Sequence, residues 1–249
     1  VLDLSMGFGA MLVGHLNPVV VEHITRALHE VGTLFVTPSP QATDMSERFC
    51  KRFGLDMIRF TNSGTESLMY AIRAARAYTQ RKAIVKIEGG YHGGYDPLQV
   101  SVKPALADIG PADAPSGQGP FDVEAGTVHV AAYNDLPMLE RIFAEHGRDV
   151  AAMVVEPVIE NLAIVLPDEG YLAGVRALCD QYGVVLIFDG VRQEIIIAAP
   201  ERGGEAATLA RIDAVEAQLD QAMPPSRPND TPVERIDFTS NTEKSRYLA

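Results

Sequence analysis

The sequence has no tryptophan, only two cysteines, and far fewer basic than acidic residues: 21 against 33 in 249, for a net charge of −12. Each scarcity excludes something. Cys50 and Cys179 fall inside amphipathic helical patterns. They read as small buried hydrophobes in a reducing compartment, not as a disulfide or a metal pair. The six histidines show no ligand spacing with cysteines or carboxylates, so no metal is expected. The acidic balance argues against nucleic acid, whose backbone asks for basic patches, and reads most simply as solubility. No apolar run is long enough to cross a bilayer, so no membrane partner is expected. The N-terminus lacks a charged-then-apolar signal and an initiator Met; it opens mid-pattern on "VLDLSMGFGAML", which suggests a start inside a domain.

What is present is an ordinary globular composition, 47% hydrophobic and 22% charged, in a chain long enough for a sizeable core. "NPVVVEHITRALHEVG" reads as a helix capped by Asn17, started by Pro18 and stopped by Gly32, with Val20, Ile24, Leu28 and Val31 as its apolar stripe. "TDMSERFCKRFG" is a second helix carrying Met45, Phe49 and Phe53 on one face. "DMIRF" follows as a short strand, then "TNSGTE" and the helix "SLMYAIRAARAY". "AIVKIEGG", "VAAMVVEP" and "VVLIFD" read as strands, with "LPMLERIFAEHG" and "GYLAGVRALCDQYG" as helices between them. Alternating strands and helices imply right-handed crossovers and a mostly parallel sheet with helices on both faces. The Pro-, Gly- and Asp-rich stretch from Asp96 to Val128 is a long loop of the kind that forms lids or binding segments. Beyond Asp189 the pattern changes: "EIIIAAPERGG" is ambiguous. Residues 205–223 read as one amphipathic helix, and the Pro-rich polar tail after it lacks the content expected of a packed core.

Ligands of an open α/β sheet bind beyond the carboxyl ends of its strands, so those ends carry the functional argument. Residues 62–66, "NSGTE", offer free N–H groups at a helix start, two hydroxyls and a glycine, which suits a phosphate; the same spacing suits a simple capping box between Ser63 and Glu66. "EGGYHG" brings the backbone close to something through its glycines and follows with an aromatic that could stack on a planar ring, or is merely a tight turn. Two further strands end on carboxylates, Glu156 and Asp189. Together these suit pyridoxal 5′-phosphate (PLP): its phosphate wants a helix N-terminus, its ring a stacked aromatic, and its pyridine nitrogen a carboxylate.

The stretches "GHLNPVVVEHITRAL", "RFTNSGTESLMYAIRAARAYTQRKAIVKIEGGYHGGYDP", "YND" and "VVEPVIENLAIVLPDEGYLAGVRALCDQYGVVLIFD" together resemble the class III PLP-dependent aminotransferases, above all the glutamate-1-semialdehyde 2,1-aminomutase branch. The resemblance runs from about Val1 to Val191. It implies the large domain of the fold type I transferases, in a cytoplasmic homodimer acting on small amino and keto compounds. Ser63, Gly64 and Thr65 would hold the phosphate; Tyr91 would stack on the ring with His92 beside it. Glu156 and Asn161 would line the ring's phenolic side, Asp189 would pair with the pyridine nitrogen, and Val191 would pack behind the ring. The loop from Asp96 would help shape the substrate entrance.

The departures define a second set of expectations. Gly190 stands where the family has glutamate. The family's Schiff-base lysine follows the aspartate by roughly thirty residues, and none of Lys51, Lys82, Lys86, Lys103 and Lys244 falls in that window. The later strands of the domain, the phosphate contact from the second subunit and the C-terminal small domain also have no counterpart. Residues 1–191 are therefore expected to form an incomplete PLP-binding domain and 192–249 a divergent tail, unrelated or frame-shifted. No covalent PLP adduct and little transamination are expected. Two other readings stay open: a non-catalytic remnant that binds PLP or a partner, and a nucleotide- or phosphosugar-binding α/β domain. The last lacks a glycine-rich dinucleotide fingerprint after its first strand.

Overall fold

Alternating apolar segments build a three-layer arrangement of helices and one sheet. The computed structural model describes residues 3–4, 6–7, 10–34, 39–103, 123–162 and 164–190, and the backbone of 194–198. In chain order the elements are α1 (Pro18–Glu30), α2 (Pro40–Phe53), α3 (Gly64–Thr79), β1 (Ala83–Ile87), α4 (Asp96–Gln99), β2 (Val128–Ala131), α5 (Leu136–His146), β3 (Val150–Val155), α6 (Tyr171–Tyr182), β4 (Val185–Gly190) and β5 (Glu194–Ala198).

The sheet order is β2-β1-β3-β4-β5; the first four strands run parallel, and β5 returns antiparallel to β4. Period-two alternation sorts the strand side chains between two apolar layers. Ile84, Ala152, Val154, Val185 and Ile187 face α3, whose Leu68, Ala71, Ile72 and Ala75 are buried against them. Val85, Ile87, Met153, Val155 and Leu186 face α5 and α6, which bury Met138, Leu139, Phe143, Leu172, Val175 and Cys179. Strands buried on both faces read as continuous apolar runs for this reason. At the amino-terminal edge of the sheet, Arg81 Nη1 lies 2.8–3.3 Å from the carbonyls of Gly147, Val150, Tyr182 and Gly183. One guanidinium thus meets the negative ends of both α5 and α6.

The chain leaves β1 toward β2 on one side and then crosses to β3 on the other. That reversal makes the gap beyond the carboxyl ends of β1 and β3 the topological switch point, where ligands of open α/β sheets sit.

The helix starts follow their caps. Asn17 accepts from Val19 and Val20, Ser39 from Ala42, Ser63 from Glu66 and Asp135 from Met138. Because Ser39 caps and Pro40 takes the first turn, α2 begins earlier than the expected "TDMSERF". Several expectations are corrected. Residues 56–60 are not a strand: no other strand pairs with them among the described residues, and Met57 and Phe60 are exposed. Cys50 is half-buried rather than buried, whereas Cys179 is buried, and its thiol is pushed up to about 12 by desolvation. The short strand β2 was not expected; it closes the edge beside β1. The ambiguous "EIIIA" segment is strand β5. The expected helix over 205–223, the polar tail, the middle of the long loop (104–122) and Val191 lie outside the described residues.

Candidate functional site

The carboxyl ends of β1, β3 and β4 and the start of α3 meet at the switch point. Ser63 is the α3 cap; its Oγ accepts from Glu66 N at 3.2 Å, and the Glu66 carboxylate accepts from Asn62 N at 2.9 Å and Asn62 Nδ2 at 3.1 Å. The capping arrangement is therefore built, with Glu66 turned to Asn62. It does not use up the turn's donors. Gly64 and Thr65 occupy the first helical positions, whose N–H groups have no intrahelical acceptor, and the Ser63 hydroxyl keeps its proton to donate.

Thr65 is tied to the aromatic turn. Gly94 N donates to Thr65 Oγ1 at 3.0 Å. A Cβ on Gly93, which has φ +81°, would lie 2.2 Å from that same oxygen. Only glycine fits there, both sterically and conformationally. This contact was not anticipated, though a Gly-Gly pair directly after Tyr91-His92 was its signal.

The turn after β1 delivers Tyr91 and His92 in different ways. Tyr91 is 53% exposed, so its ring face is open to a ligand, while His92 is 1% exposed. His92 Nδ1 lies 2.8 Å from Asp189 Oδ2 at the end of β4. An ionised carboxylate can only accept, so Nδ1 carries the proton of this bond. Asp189 Oδ1 then has no hydrogen-bond partner among the described residues and remains available. Nε2 of His92 is buried and unpartnered among the described residues, close to the position a Cβ on Gly90 would take, 3.0 Å away.

Glu156, at the end of β3, bridges the two loops: Oε1 accepts from Tyr91 N and Oε2 from Glu160 N, both at 3.2 Å. Burial raises its pKa, opposed chiefly by His92 and the two backbone donors, while the Asp189 charge raises it further. Asn161 Nδ2 donates to Gly89 O at 3.1 Å, and Leu162 packs where a Gly89 side chain would go. Tyr133 hydroxyl donates to Pro157 O at 2.6 Å; burial is the main reason its pKa is raised. Eight of the nine expected residues thus occupy one edge of the sheet, linked through Thr65–Gly94, Tyr91–Glu156, His92–Asp189 and Gly89–Asn161. The ninth, Val191, is outside the described residues. The same residues contain no group of three or more potential metal ligands and no helix long and apolar enough to cross a membrane.

A mostly parallel sheet with helices on both faces, carrying a Ser63-capped helix start, an exposed aromatic turn and a strand-end Asp–His pair, has the architecture of a fold type I transferase domain. The family model "Aminotransferase class-III" matches residues 1–193, and the chain belongs to that family. Over 191 residues it is 42% identical to glutamate-1-semialdehyde 2,1-aminomutase of Desulfitobacterium hafniense strain DCB-2, covering 76% of this chain and 44% of that protein. Among solved structures it is similar to an omega-transaminase from Sphaerobacter thermophilus (TM-score 0.66, 34% identity, 75% of this chain and 43% of that one). It is also similar to a glutamate-1-semialdehyde aminomutase variant from Pseudomonas aeruginosa PAO1 in complex with PMP (TM-score 0.65, 32% identity, 75% and 40%). The chain spans less than half the length of these relatives.

Proposed function

We propose that this chain carries the PLP-binding part of a class III aminotransferase or aminomutase of the glutamate-1-semialdehyde type, acting on small amino and keto compounds. The observation that carries it is the bond between His92 and Asp189, beside an open aromatic turn, which leaves one carboxylate oxygen of that strand-end aspartate without a hydrogen-bond partner among the described residues. The residues present fit the cofactor. Ser63, Gly64 and Thr65 would receive the phosphate through a hydroxyl and free N–H groups at the positive end of α3. The exposed ring of Tyr91 would stack on the pyridine. Asp189 would hold a proton on the pyridine nitrogen, with the His92 N–H fixing its orientation. Glu156 and Asn161 would shape the opposite rim. Bound PLP supplies an electron sink for amino-group chemistry.

In the absence of a lysine where the family places it, the chain by itself is expected to bind PLP without a covalent bond and to leave amino donors unchanged. Two measurements test this. Thermal stabilisation by PLP should exceed that by ATP or NAD; the reverse order would transfer the cradle to a nucleotide ligand. After borohydride treatment in the presence of PLP, peptide mapping should find no site-specific, stoichiometric pyridoxyl-lysine. Such a product at Lys51, Lys82, Lys86, Lys103 or Lys244 would overturn the non-covalent reading.

A further inference from the structure

Lys86 interrupts the apolar strand β1, and its side chain is shut from solvent on the α3 side of the sheet. An ammonium group is removed from water there only at a large desolvation penalty, and methionine would fill the same volume. What the lysine adds is a pair of hydrogen bonds: Nζ donates to Gly90 O at 3.1 Å and to Val100 O at 2.7 Å. The first carbonyl belongs to the turn that leads into Tyr91 and His92; the second ends α4, where the chain returns to the sheet. Two further ties join these segments. Gly89 N donates to Ser101 O at 2.8 Å, and Ser101 Oγ donates to Glu88 at 3.0 Å. Ser101 sits at φ +54°, a left-handed conformation that a non-glycine residue keeps only when its surroundings hold it. Desolvation lowers the Lys86 pKa to about 8, while the Glu156 and Glu88 carboxylates act the other way and favour the ammonium.

We propose that Lys86 is a positioning residue: it pins the Gly89–Gly94 turn to the Val100–Ser101 segment and so fixes Tyr91 and His92 in the geometry the cofactor requires. This rests on the PLP reading above, and it assigns Lys86 no covalent role. Glu156 holds the turn from the other side through Tyr91 N, so the aromatic is fixed between one buried cation and one buried carboxylate.

The test compares Lys86→Met with Ile84→Ala, which removes apolar volume from the same face of the same strand without touching the turn. Hydrogen–deuterium exchange by mass spectrometry reads the peptide spanning residues 88–103, and equilibrium titration reads PLP affinity. Lys86→Met should exchange about tenfold faster in that peptide alone and bind PLP about tenfold more weakly. Ile84→Ala should change neither beyond its global destabilisation. Unchanged exchange in Lys86→Met overturns the proposal, as does equal local loosening in Ile84→Ala. Faster exchange with unchanged PLP affinity also overturns it, leaving a purely structural lysine. If Lys86→Met does not fold, Lys86→Gln, with a donor one bond shorter, is judged by the same criteria. If the unaltered protein does not bind PLP, the cofactor reading fails by itself, and the exchange comparison still decides whether Lys86 holds the turn.

Discussion

The two N-terminal helices and the three long helices on the sheet are made by the same local rules but end in different environments. α1 and α2 have good caps, proline in the first turn and clear apolar stripes, yet neither has a buried residue among those described. Val20, Ile24 and Leu28 are 43–56% exposed. The helices α3, α5 and α6 bury their stripes almost completely against the strands. The contrast teaches that capping and periodicity specify a helix and the face it offers, whereas burial depends on a partner surface. For α3, α5 and α6 that partner is the sheet. For α1 and α2, no such surface covers the stripe among the described residues.

The largest effect should come from the sheet side. Phe143 is fully buried and packs edge-on against Tyr182 at 5.5 Å. Phe143→Ala should destabilise the chain by about 3–5 kcal/mol through lost transfer energy and a cavity, seen as a lower urea midpoint. A loss under about 1 kcal/mol would mean that the core layer is far looser than its burial implies.

Next comes the link between cradle and turn. Gly93→Ala must displace either the turn or the start of α3, because its Cβ would fall inside contact distance of Thr65. Left-handed backbone adds to the strain. The expected loss is about 1–3 kcal/mol, with PLP affinity falling by more than that of Gly94→Ala, where a Cβ meets nothing within 4 Å. Equal binding by the two variants would separate the cradle from the turn.

What the sequence made legible follows the same division. The strand β4, with Asp189 one residue before its end, and the strand β3, followed directly by Glu156, are continuous apolar runs closed by a charge, and both appear where the pattern puts them within a residue. The capping reading and the anion reading of "NSGTE" could not be separated from sequence because both use Ser63, and the structure builds the cap while leaving the N–H groups at the helix start. Other features were not readable because they depend on distant partners. β2 is four residues long, and its pairing with β1 makes it a strand. "DMIRF" has β-type composition but no partner strand among the described residues. The bond from His92 to Asp189 joins positions 97 residues apart, and nothing local in either segment announces it. Lys86 was visible as a lysine in an apolar strand, but its two acceptors lie in loop segments that only the fold brings together.

The smallest expected effect returns to α1. Ile24 is 56% exposed, so Ile24→Ser removes little buried area and should change stability by no more than about 0.5 kcal/mol. The same urea titration measures it, alongside Phe143→Ala as the scale. A loss above about 1.5 kcal/mol would place Ile24 in an apolar environment in solution, and repeating the titration at several protein concentrations then identifies its source. A loss that grows with concentration assigns the cover to another copy of the chain. A loss independent of concentration assigns it to residues within the same chain, and the difference between the two regions would then be one of which residues cover the face, not of whether it is covered.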